Sequence, residues 1–346
     1  MVFLSLPIVL DAVAKASVIL AATALVAASL RRASASARHL VWTLGLLSAL
    51  AAPALSAALP RWELPIVRVS ASVPSLDVAR NATSTEQASV VSRQAPAITH
   101  AAAGSATPAD ATSQFTTANG TPISWRTVLL FAWIAGAIVI LGRMLLGLAA
   151  VLWLSRRLPV VTDAPWLAQA QSLARGLGLS RVRFLRSSAS TMPMAWGIVR
   201  SSVLMPADAD TWPAHRLRVV LLHELAHVKR RDCLTHMLAQ ISCACHWFNP
   251  LAWIAARHAR TERERACDDL VLAAGTRGPD YADQLIEIAR VMRSGRFPAV
   301  LAGASLAMAR RSELEGRLMA ILDPSVPRAG VSRFRSAVAT TVFALA

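Results

Sequence analysis

Lysine is almost absent from this chain of 346 residues: Lys15 and Lys229 are the only two, so the 36 basic residues are nearly all arginine. Acids are scarce as well, 20 against those 36, which leaves a formal net charge of +16. Charged residues make up only 16% of the chain, hydrophobic residues reach 55%, and the mean hydropathy is +0.46. Those values exclude an ordinary soluble enzyme and point to membrane spans. The positive charge alone suits nucleic-acid binding. Here, however, the arginines are spread along segments that flank apolar runs, where they follow the positive-inside rule, so no direct nucleic-acid contact is expected. Thiols are few too: Cys233, Cys243, Cys245 and Cys267, with no C-x-x-C pair. The C-x-C-H run of Cys243, Cys245 and His246 is a weak match to zinc spacing, and buried thiols in a reducing compartment are the simpler reading.

What is present in quantity is apolar sequence. Val2 to Leu30 is the first run, with Asp11 and Lys15 spaced to pair across one helical turn. Ala33-Ser34-Ala35 resembles a signal-peptide cleavage site, but Arg31 and Arg32 follow the run directly and no basic segment precedes it, which favours a retained span. His39 to Leu59 is long enough for a second span, which takes about 20 residues. The link between them holds Arg31, Arg32 and Arg38 and no acid, so it is expected on the cytoplasmic side. Residues 60–123 change character. They are rich in Ser, Thr, Ala and Pro, and read as a low-complexity loop on the periplasmic or extracellular side. Residues 124–157 hold a third apolar run, longer than a bilayer needs, with Arg143 inside it near the cytoplasmic surface.

Residues 158–308 form a basic region long enough for a core, placed in the cytoplasm by its charge. Helices are expected over Ala164 to Leu177, Asp232 to His246, Asn249 to Ala274 and Asp280 to Met292. Short strands are expected at Arg181 to Leu185 and within Met194 to Met205, broken at Gly197. Residues 309–333 read as a basic linker containing a helix from Met308 to Leu322, and 334–346 as a short fourth apolar run.

The chemistry concentrates in Leu221-Leu222-His223-Glu224-Leu225-Ala226-His227, an H-E-x-x-H pattern on a predicted helix. Thr211 is placed to cap that helix and Pro213 to open it. Residues i and i+4 share a helical face, so His223 and His227 can direct both imidazoles at one metal ion. Zinc lowers the pKa of a coordinated water, and Glu224, beside the first ligand, is the base placed to take the proton. A catalytic zinc takes three protein ligands and keeps one position open. Glu264, 37 residues after His227, is the expected third ligand. Asp268, one turn further on the same face, is the expected acceptor for a ligand histidine's other ring N–H. Glu262 is the alternative ligand, but it points to a different face from Asp268. Tyr281, the only tyrosine, and His236 or His246 are candidate donors to an oxyanion.

HELAHVKRRD, then NPLAW, then ERACDDLVL, followed by Ala309 to Leu318 ahead of a final apolar run, resemble the BlaR/MecR-type antirepressor membrane metallopeptidases. The resemblance covers most of the chain. It implies a mainly α integral membrane protein of the bacterial inner membrane, with three to four transmembrane helices and a cytoplasmic α+β zincin-like domain. It further implies zinc on His223, His227 and Glu264, with Glu224 as general base. The expected partners are the bilayer, a cytoplasmic transcriptional repressor as protein substrate, and a sensor domain or partner outside the membrane. Self-cleavage near the 309–322 helix is also implied. The chain departs from that family at its end: it stops at Ala346 within the last apolar run, and no S-x-x-K motif of a penicillin-binding sensor is present. Either the chain is a fragment of a longer protein, or the stimulus enters through its own loops or a partner. A quality-control membrane peptidase, and a membrane transducer that keeps the zinc fold without turnover, are the alternative readings.

Overall fold

The structure, a computed structural model, describes residues 6–58, 124–187, 192–294, 311–328 and 330. The expected loop over 60–123, the start of the linker at 309 and the final apolar run at 334–346 lie outside these residues. The described elements are α1 (Leu6–Ser29), α2 (Ala35–Ala58), α3 (Trp125–Arg157), α4 (Leu167–Gly176), β1 (Val182–Arg186), β2 (Met194–Trp196), β3 (Ser201–Met205), α5 (Ala214–Arg230), α6 (Asp232–Cys245), α7 (Pro250–Ala273), α8 (Gly278–Ser294) and α9 (Arg311–Leu322). The described residues are thus mainly helical, with one small sheet.

Among the described residues two helical stretches, Asp11–Ser29 and Thr127–Arg157, are long and apolar enough to cross a membrane. Asp11 and Lys15 pair at 2.7 Å on α1, as their spacing predicts. At about 1.5 Å per residue, α3 is roughly 50 Å long, well beyond a hydrocarbon core of about 30 Å. Its C-terminal end packs on the sheet instead: Val151, Leu154 and Leu158 lie against Leu185, Trp196 and Leu204, and the Trp196 indole donates to Ser155 Oγ at 2.6 Å.

The sheet has the order β1-β3-β2, with β1 parallel and β2 antiparallel to the central β3. Strands β2 and β3 are separated at Gly197, where φ is +105° and a Cβ would lie 2.2 Å from the Arg200 carbonyl oxygen, so only glycine fits. β2 is a short edge strand that lies beside α5.

Helix α5 is central to the molecule. Leu221 and Leu225 face a cluster formed with Trp166, Phe184 and Val203, while Leu222 faces another with Val271, Tyr281, Leu285 and Ile321. Burial of each such leucine contributes about 1.5–3 kcal/mol, so the helix is held rigidly from two sides. The expected cap is different: α5 begins at Ala214 with Pro213 in the cap position, and Thr211 lies in a preceding 3-10 turn where its hydroxyl donates to the Asp208 carbonyl at 2.8 Å. At the other end Arg231 takes a left-handed conformation (φ 56°, ψ 40°), and its N–H returns to the His227 and Val228 carbonyls. This single residue turns α5 sharply into α6. Asn249 caps α7 by accepting the Leu251 N–H at 3.0 Å, with Pro250 in the first turn, as predicted.

Candidate metal centre

Helical spacing sets His223 and His227 side by side on α5, with ring centroids 4.9 Å apart and the rings nearly perpendicular. Helix α7 brings Glu264 against them: its Oε2 lies 3.6 Å from His223 Nε2 and 3.8 Å from His227 Nε2. One ligand atom from each of the three residues falls within a 4.8 Å cluster. Atoms that share a zinc ion at about 2.0–2.2 Å are themselves separated by about 4 Å or less, so this spacing fits a metal. A second observation agrees. His223 Nε2 and Glu264 Oε2 are buried and have no hydrogen-bond partner among the described residues. Two polar atoms stripped of water and turned toward each other call for a cation between them.

The far nitrogen of each histidine meets a carboxylate. His223 Nδ1 is 3.3 Å from Asp268 Oδ1, the residue expected in that role. His227 Nδ1 is 2.8 Å from Asp232 Oδ2, a partner that sequence reasoning missed. The sharp turn at Arg231 folds Asp232 back onto the histidine. Asp232 is flanked in turn by Arg230, at 3.3 Å, and by the Cys267 thiol, also at 3.3 Å. Asp268 is held by Arg317 of α9 through two contacts, at 2.8 and 2.6 Å, and by the Tyr281 hydroxyl, which donates to it at 2.6 Å. Arg317 was likewise missed.

These contacts set the charge states. Burial alone raises the carboxyl pKa of Asp268, but Arg317 and His223 outweigh it and hold the group well below the usual range. Burial also opposes ionisation of Glu264, and His227, His223, Arg263 and Arg317 together override it. Burial works to lower the pKa of His223, yet the Asp268 and Glu264 carboxylates raise it to about 9. The pocket therefore favours a positive charge at the point where the ligand atoms converge. Glu224 differs from the other acids. Burial pushes its pKa up, and the backbone N–H of Ala195 on β2 donates to it. Its carboxyl group lines a narrow cavity with Met192, Pro193, Val220, Leu285 and Ile288.

Other candidates are placed elsewhere. Glu262 points toward α2, 2.8 Å from Arg38 and 3.2 Å from Arg265, and takes no part in the cluster. Tyr281 lies beside His223, its hydroxyl 3.1 Å from Nδ1 and donated to Asp268, and it lines the same narrow cavity as His223 and Glu224. His246 ends α6, about 20 Å along the helix from Asp232. Cys243, Cys245 and His246 do not converge: the Cys243 thiol lies against the Ala252 carbonyl and His246 Nδ1 against the Ser242 carbonyl. His227, Asp232 and Cys267 form a second tight group, in which the Cys267 thiol and His227 Nδ1 both meet Asp232 Oδ2, and burial and the adjacent Asp232 raise the Cys267 pKa well above its ordinary value.

A helix-borne histidine pair, a glutamate from a second helix and a buried carboxylate beside the pair form the donor set of a metallopeptidase. The chain belongs to the BlaR1 peptidase M56 family, whose profile matches residues 7–321, a family of signal-transducing, antirepressor-type metallopeptidases. It is 30% identical over 141 residues to the regulatory protein BlaR1 of Bacillus licheniformis, a match covering 40% of this chain and 24% of that protein. It is 32% identical over 81 residues to the methicillin resistance mecR1 proteins of Staphylococcus aureus and Staphylococcus epidermidis, covering 23% of this chain and 14% of theirs. The matched segments thus span a small part of these longer relatives.

Proposed function

We propose that the chain is an integral-membrane zinc endopeptidase with its active site facing the cytoplasm, acting in signal transduction by proteolysis. The observation that carries this reading is the convergence of His223, His227 and Glu264 with two orphaned buried atoms, beside a separate buried carboxylate, Glu224. In this reading residues 1–59 and 124–157 supply membrane helices and 60–123 an outward loop. Residues 158–308 form the protease domain, and 309–333 link it to a last span at 334–346.

Zinc, when bound by the three ligands, supplies a Lewis acid that polarises the scissile carbonyl and acidifies the attacking water. The chain's own residues do the rest. Asp268 and Asp232 fix the ring orientation and tautomer of His223 and His227. Glu224, with a carboxyl pKa raised by burial, takes the proton of the water and returns it to the leaving amine. The Ala195 N–H holds that carboxylate in place from the edge strand β2. Apart from the Ala195 N–H held by Glu224, the edge of β2 away from β3 has no strand partner among the described residues and is suited to an extended peptide beside Glu224. A cytoplasmic transcriptional repressor is the proposed substrate, and a sensor domain or partner outside the membrane supplies the stimulus.

The test uses the full chain in membranes, wild type beside Glu224→Gln, with bound zinc and proteolysis of the chain and co-expressed cytoplasmic proteins measured together. Both forms are expected to hold one zinc, with cleavage in the variant reduced by at least about 10²-fold. Zinc in neither form removes the site assignment, and zinc in both with cleavage in neither favours a transducer without turnover.

A further inference from the structure

From Cys233 to Ala256 the chain carries no Asp, Glu, Lys or Arg. This stretch forms α6, the turn after it and the first part of α7. It lies inside the region that charge alone assigns to the cytoplasm, yet its packing partners are the apolar helices. Ser242 Oγ donates to the Leu46 carbonyl of α2 at 3.1 Å, and Asn249 Nδ2 to Ser17 Oγ of α1 at 3.0 Å. The Trp133 indole of α3 donates to the Cys245 carbonyl at 3.0 Å, and the Trp247 indole returns a bond to the Trp133 carbonyl at 3.1 Å. Gly136 makes room for that contact, since a Cβ there would lie 2.3 Å from the Trp247 ring. Ser17, Trp133 and Gly136 all lie within the two membrane-length stretches. Side chains bonded to the middle of a span share its depth.

The other end of the hairpin is fixed at the membrane surface. Arg230 and Glu262, which bracket it, contact Ser36 and Arg38 in the turn and first residues of α2. From that level α6 rises by about 20 Å over its 14 residues, short of a hydrocarbon core of about 30 Å. The chain then turns and comes back on the same side.

The chemistry of the turn suits hydrocarbon. Polar groups in a bilayer core need partners within the protein. Here indoles take up two carbonyls at and just after the end of α6: Cys245 by Trp133, and Trp247 by Trp253 at 2.8 Å. The Asn249 N–H goes to the His246 carbonyl at 2.8 Å. The large apolar side chains left exposed are Leu234, Phe248, Trp253 and Ile254; Pro250 is exposed as well, and the exposed polar group, His236, sits four residues past Asp232, near the surface end of α6. The first charged residue on the returning limb, Arg257, is eight residues past Asn249, about 12 Å back toward the surface and within reach of it by snorkelling.

We propose that α6 and the first part of α7 form a re-entrant hairpin whose outer face, Leu234, Phe248, Trp253 and Ile254, is covered by lipid acyl chains. The metal-bearing ends of α5 and α7 are then tied directly to the bilayer. The inference rests on α1 and α3 crossing the membrane and not on zinc or turnover, so the two readings fail independently.

The test compares Ile254→Cys with Val199→Cys in full-length chains whose four native cysteines are replaced, in membranes opened on both faces. Val199, 92% exposed on the β2–β3 turn, serves as the water-facing control. A thiol in hydrocarbon ionises poorly and meets little water-soluble maleimide. Ile254→Cys is expected to react at least about tenfold more slowly than Val199→Cys, and equally fast once denatured. Equal rates in native membranes overturn the proposal. In parallel, the native-cysteine chain and its Trp253→Phe variant are reconstituted in vesicles of phosphatidylcholine brominated on its acyl chains. Acyl-chain quenching that diminishes in the variant supports the proposal. Quenching unchanged by the substitution means that protein or water covers this face, and sinks it.

Discussion

Arg317 closes on Asp268 with two guanidinium nitrogens, Nε to Oδ2 at 2.8 Å and Nη2 to Oδ1 at 2.6 Å, across 49 residues of sequence. Asp268 stands behind His223, so the helix α9 reaches the candidate metal centre through this carboxylate, and Arg317 Nη1 also lies 3.9 Å from Glu264 Oε2. Replacing Arg317 with Met is expected to weaken zinc binding by about 10–100-fold, the usual effect of losing support behind a ligand. Arg317→Lys is expected to recover only part, because a lysine cannot reproduce a two-pronged contact. Chelator-competition titrations measure the affinity, with circular dichroism to show that the fold persists. Wild-type affinity in Arg317→Met with the fold intact ends the idea.

Asp232 plays the same part for His227, at 2.8 Å. Here burial opposes ionisation, while the bond from His227 and the charge of Arg230 keep the carboxyl below its ordinary pKa. Asp232→Ala is expected to weaken zinc by a similar 10–100-fold, and Asp232→Asn by less, since its carbonyl can still accept the ring N–H. An alanine variant that binds zinc as tightly as Asp232→Asn removes the role.

The histidine pair and Glu264 were legible because each depends on a short-range rule. The i,i+4 spacing gives one face of α5, and the turn from Glu264 to Asp268 gives one face of α7. Asn249 and Pro250 marked a helix start by their chemistry alone. Asp232 was harder, because it meets His227 only through the left-handed Arg231, a conformation that nothing about arginine announces. Arg317 was not legible at all, since a long-range ion pair has no periodicity. Both limbs of the α6–α7 hairpin were legible as helices, but not their packing on α1 and α3, because neither limb is long enough to pass as a span, although the lack of charge was plain. Thr211 misled, as a good cap residue lay two positions too early.

Asp269 gives a pH signature. Burial first, and then the charge of Asp268, raise its pKa from an ordinary 3.8 to about 6, and Arg328 at 3.8 Å offsets them only in part. A carboxyl group whose pKa is raised in the folded state favours folding while protonated. That contribution is complete below pH 3.8 and is lost as the pH rises through about 6. Asp269→Asn is expected to melt close to wild type at pH 4 and higher than wild type at pH 7 to 8. Parallel melting curves at both pH values count against this account.

The link between α1 and α2 reaches the ligand helix through Arg38, whose guanidinium lies 2.8 Å from Glu262, two residues before Glu264. Both side chains are largely buried, and Glu262 is shared with Arg265 at 3.2 Å. Removing one charge of such a pair leaves the other buried without its partner, at a cost of about 3–5 kcal/mol. Arg38→Met and Glu262→Gln are each expected to lower the melting temperature of the chain in lipid nanodiscs. The double variant leaves neither charge stranded, except for Arg265, which is more exposed. It is therefore expected to lose less than the sum of the two single changes by more than about 1 kcal/mol, well beyond the scatter of independent sites. Strict additivity means that the contact carries no coupling between the first two helices and α7. A clear shortfall identifies Arg38 as the point where displacement of the first two helices is felt by the helix that carries Glu264.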